Sequence, residues 1–96
     1  MNTTDAPQTT ILQAGNLFKV LQVTGTGGMY MPEHYSSSEA VIVVQKGSAV
    51  LGLNGKEYAL RQDRSFVIPA GEQHTLRLEE SFQAIVIMEI SSEIKC

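Results

Sequence analysis

The 96-residue sequence has no tryptophan, one cysteine, two histidines and three prolines, and only 18% of its residues are charged. A lone cysteine, Cys96, excludes an internal disulfide, a cysteine-rich zinc site and a CxxC redox pair. The seven basic residues, set against ten acidic ones, are scattered singly, so no basic stripe exists and nucleic acid is not an expected partner. No apolar stretch approaches the roughly 18 residues that span a bilayer, and no membrane partner is expected. Residues 1–10 have no cationic segment leading into an apolar run, so the expectation is no secretory signal and a cytoplasmic protein. A chain of this length makes one domain and buries roughly 60–65% of its unfolded surface, a thin core that a second subunit would help to cover.

What is present is a set of short apolar runs separated by turn chemistry. The 43% hydrophobic content is concentrated at 17–23, 41–44, 48–53, 56–60, 65–68 and 82–90, rich in β-branched or aromatic residues and bounded by Gly, Pro, Asn, Asp or Ser. That pattern predicts an all-β fold with turns at the spacing of a sandwich or barrel. Asn54-Gly55 predicts a type I′ hairpin, because both central positions need φ > 0, and a two-residue loop pairs Leu53 with Lys56 and Leu51 with Tyr58. The runs at 41–44 and 84–88 are apolar on both parities, so each must be covered on both faces, which points to a homodimer. Residues 1–10, rich in Thr, read as a loose N-terminal arm before a single domain over 11–96.

The two histidines carry the informative spacing. His34 follows Gly28 by six positions and leads through Ser36, Glu39 and Ala40 to Gly47; His74 follows Pro69 and Gly71. These segments resemble the two motifs of the cupin family, G-x5-H-x-H-x3/4-E-x6-G and G-x5-P-x-G-x2-H-x3-N, over residues 28–78. Gly28, His34, Gly47, Pro69, Gly71 and His74 fall in register. Ser36 stands at the second histidine, Ala40 at the glutamate with Glu39 one residue early, Asp63 at the second motif's glycine and Leu78 at its asparagine. Strand parity places His34, Ser36, Ala40, Ile42 and Val44 on one face and Glu39, Val41 and Val43 on the other.

The resemblance implies a cupin-like double-stranded β-helix, or jelly-roll barrel, with both histidines at its mouth. It also implies a three-histidine, one-glutamate metal site for iron, manganese, nickel or zinc, of which His34 and His74 remain. Glu39 is the candidate third metal ligand, through a β-bulge near Ser36-Ser37-Ser38 that would flip its parity; otherwise it faces solvent and the histidines bond to each other, Ser36 or Tyr35. Three functions are open: a barrel that binds a small molecule around His34, Ser36, His74, Tyr35 and Met88; a metal-dependent dioxygenase or isomerase-like enzyme using His34, His74 and Glu39; and a regulatory or protein-interaction module. Met29 and Met31 fit either pocket or core, and Arg61, Arg64 and Arg77 would bind a carboxylate only by converging on the mouth. No Asp is placed to orient an imidazole beside the serines, so a hydrolase triad is not expected.

Overall fold

The computed structural model describes residues 6–96. Ten strands follow in order: β1 Gln8–Ala14, β2 Phe18–Gly25, β3 Tyr30–Ser36, β4 Ala40–Lys46, β5 Ser48–Leu53, β6 Lys56–Arg61, β7 Ser65–Ile68, β8 His74–Leu78, β9 Phe82–Glu89 and β10 Ile94–Lys95. No helix among the described residues is long and apolar enough to cross a membrane. Two five-stranded antiparallel sheets form, ordered β1-β2-β9-β4-β7 and β10-β3-β8-β5-β6. From β6 onward the chain alternates between the sheets, which is the winding of a double-stranded β-helix.

Alternation builds the core. Leu21 and Val23 on β2, and Ile42 and Val44 on β4, face inward from the first sheet; Leu51 on β5 and Leu78 on β8 meet them from the second, all buried. The β5–β6 hairpin has the register expected of its turn, with Leu53 opposite Lys56 and Leu51 opposite Tyr58. Asn54 and Gly55 take φ of 54° and 75°, the left-handed pair that such a loop demands. Asp63, at the position where the motif has glycine, also adopts a left-handed φ of 67°. Aspartate tolerates that region better than most residues, so the backbone bend persists without the glycine.

Two local expectations meet a different structure. Residues 1–5 of the expected arm lie outside the described residues, but Gln8, Thr9 and Thr10 pair with Thr24, Val23 and Gln22 as the start of β1. The bulge lies not at Ser36–Ser38 but between Met31 and His34, where the β3–β8 register shifts. Pro32 sits inside it, where a residue without an N–H costs the ladder nothing. The extra residue lets Met31 and His34, three apart, both face the interior.

Candidate functional site

The sheets enclose a cavity of about 100 Å³ that opens to solvent. Its walls are largely apolar side chains from both sheets, among them Leu21, Met31, Ile42, Leu51, Val86 and Met88. Among the described residues four polar ones line it: His34, Ser36, His74 and Thr9.

The histidines meet because the second motif's turn is tied to the end of β3. Gly71 N–H donates to Ser36 O at 2.8 Å, and from there β8 starts with His74 opposite His34. Their rings lie edge to face with centroids 4.3 Å apart, His74 buried and His34 half-buried. His34 Nδ1 lies 2.8 Å from Pro32 O, and His74 Nδ1 lies 3.0 Å from Glu72 O. A carbonyl oxygen only accepts, so Nδ1 carries the proton in each ring and Nε2 is left with a lone pair. Neither Nε2 has a protein partner among the described residues. Burial holds the His74 imidazole below its ordinary pKa; the Glu72 carbonyl opposes this in part, and the His34 charge adds to it.

Of the residues singled out in the sequence, His34, Ser36, His74 and Met88 line the cavity, whereas Tyr35 and Glu39 do not. Tyr35 has the opposite parity to His34 and Ser36, and pairs instead with Lys95 on β10. Glu39 is exposed, because without a bulge at 36–38 the inward position falls to buried Ala40. The serines are structural: Ser36 Oγ donates to Ser38 O at 2.7 Å, Ser38 N–H to Ser92 Oγ at 3.3 Å, and Glu93 N–H to Ser37 Oγ at 3.0 Å. Arg61, Arg64 and Arg77 are exposed and away from the cavity, and Met29 packs on the core. Sequence reasoning passes over Thr9 and Ile94, which also line the cavity. The β-branched run Thr9-Thr10-Ile11 was the available signal for the first.

The donor set does not fit the metal that the motif implies. Two imidazoles converge, but the remaining motif positions present a hydroxyl already donating to a carbonyl and the methyl of Ala40. Among the described residues no three His, Cys, Asp or Glu side chains are grouped to hold an ion. Two imidazoles alone hold a divalent ion weakly.

The chain resembles proteins of known structure. It superposes on an uncharacterized conserved protein with a double-stranded beta-helix domain from Klebsiella pneumoniae with a TM-score of 0.82 and 14% identity, covering 100% of this chain and 90% of that one. A cupin superfamily protein from Desulfitobacterium hafniense gives a TM-score of 0.81 at 14% identity, over 95% of this chain and 84% of the other. The DMSP lyase DddQ from Ruegeria pomeroyi gives 0.81 at 20% identity, over 91% of this chain but only 48% of the lyase. No curated protein matches in sequence. The cupin domain model matches residues 20–90, which hold both histidines and nearly all of the eight strands from β2 to β9, leaving out the edge strands β1 and β10, and the chain therefore belongs to the cupin family.

Proposed function

We propose that this cupin binds a small, largely apolar molecule in the cavity between its sheets, with His34 and His74 as the polar groups that orient it. The observation that carries this reading is an apolar cavity with two imidazoles whose Nε2 atoms have no protein partner among the described residues. Apolar walls with a few placed polar groups are the usual make-up of a small-molecule site. Titration with benzene and phenol, followed by the methyl signals of Met31 and Met88, tests it. Saturable shifts, lost when Ala40→Phe fills the cavity, are expected; methyls that do not move would overturn the reading.

The same reading includes a homodimer. On the outer face of the first sheet Val20, Ile87, Val41 and Val67 stand in one cross-strand row, with Ile85 beside Val43 in the next. The middle of this face carries no charge, so a second copy meets it without like-charge repulsion, and its burial supplies what a thin core lacks. Ile11, Leu12, Leu17 and Phe18 at the β1–β2 turn, each at least 50% exposed, border the same sheet. A monomer retaining this exposed surface would favour the docking-module function instead. A cytoplasmic location belongs to this reading, and the free, exposed thiol of Cys96 is compatible with reducing conditions.

A further inference from the structure

The hydrogen-bonding state of the cavity restricts the class of molecule that it takes, an inference that rests on the small-molecule reading above. Both Nδ1–H groups are spent on backbone carbonyls, Pro32 O and Glu72 O, so both imidazoles enter the cavity as acceptors. The Ser36 hydroxyl already donates its hydrogen bond to Ser38 O. Among the described residues no lysine or arginine lines the space. Among the described residues Thr9 brings the other hydroxyl that lines the cavity, and it stands exposed on the edge strand β1 of the opposite sheet from the histidines.

Such a cavity has acceptors and almost no donors. A carboxylate or phosphate entering it would lose its hydration and face two nitrogen lone pairs, with no cation to compensate. An alcohol, phenol or ring N–H has the complementary group, and it satisfies an acceptor that an inert hydrocarbon leaves unpaired. Size is limited as well: an apolar cavity of about 150 Å³ holds benzene, and this one measures about 100 Å³ with an opening to solvent.

We propose that the cavity selects a neutral molecule of about one ring in size that carries an O–H or N–H donor, and that it rejects anions. Burial of His74 works in the same direction, since it disfavours the imidazolium that an anion would need.

The experiment uses chelator-treated protein at pH 7.5, imidazole ¹⁵N shifts, and titrations with phenol, fluorobenzene and benzoate read at the Met31 and Met88 methyls. Both rings are expected to show the Nδ1–H tautomer before any ligand is added. Phenol is expected to saturate at a concentration lower by about tenfold or more than fluorobenzene, and benzoate not to bind. That preference is expected to collapse in His74→Leu and, should that variant fail to fold, in His34→Leu at the half-buried position. Equal binding of phenol and fluorobenzene, tighter binding of benzoate, or an Nε2–H tautomer in both rings would overturn the inference while leaving the cavity a binding site. Loss of the preference in Thr9→Val with both histidines intact would assign it to Thr9 and overturn it too. If no probe moves the methyls, the small-molecule reading itself falls.

Discussion

His34 and His74 are register partners on β3 and β8, their rings edge to face at 4.3 Å, and each donates Nδ1–H to the carbonyl two residues before it. The pair is thereby oriented by backbone rather than by a carboxylate. Both rings line a cavity at which no third His, Cys, Asp or Glu ligand is grouped with them among the described residues.

Metal retention should therefore be poor and repairable. After reconstitution with iron, manganese, nickel or zinc and gel filtration, the native protein is expected to keep less than about a tenth of an equivalent. Ser36 and Ala40 line the same cavity as the histidines, so the Ser36→His/Ala40→Glu double variant supplies the two missing donors and should retain close to one equivalent. Elemental analysis of both proteins decides it; a stoichiometric native protein would contradict the donor argument.

Stability should fall on the acid side of neutrality. The His74 imidazole titrates below its ordinary value chiefly because it is buried, with His34 adding to the effect and the Glu72 carbonyl opposing it. Above about pH 6.5 the ring is neutral in both folded and unfolded chains. Below that the unfolded chain takes up the proton first, so unfolding is favoured progressively until the lower folded-state value is passed. Urea midpoints measured between pH 8 and 5 should decline over this window, and His74→Gln should flatten the decline.

The outer face of the β1-β2-β9-β4-β7 sheet yields an oligomer prediction. Val41 on β4 stands in its apolar cross-strand row, flanked by Ile87 on β9 and Val67 on β7. Sedimentation equilibrium should give a dimeric mass for the native protein. Val41→Lys should shift it to a monomer while circular dichroism keeps its β signature. A native monomer at micromolar concentration would remove the dimer from the reading.

Gly47 separates β4 from β5 at a φ of 79°, and a Cβ there would overlap the Ser81 carbonyl oxygen. The obstacle is backbone, which cannot swing aside as a side chain end does. Gly47→Ala should cost about 2–4 kcal/mol by chemical denaturation. By contrast Gly28→Ala, with φ 93° but open space around its Cβ position, should cost less because only the backbone strain remains.

Much of this was legible in the residues. The Asn54-Gly55 loop specifies its own register, since a two-residue turn leaves one way to pair Leu51 with Tyr58. The inward set His34, Ser36, Ala40 and Ile42 also follows from parity, and it survives the change of sheet between β3 and β4. The position of the bulge did not follow. It depends on how β3 pairs with β8, some 40 residues away in sequence, and that pairing decided that Glu39 faces solvent. Nor did β1, whose seven exposed residues have little apolar patterning of their own and become a strand by pairing with β2.

By itself the sequence determined the β class, the turns and the two imidazoles in register, because these depend on local backbone preferences and on alternation along a strand. Only the tertiary structure decided that the imidazoles touch, that both rings line an apolar cavity with Nδ1 held on backbone carbonyls, and that Glu39 and Tyr35 stay outside it. Those facts depend on the pairing of distant strands, which brings Gly71 to Ser36 and His74 to His34.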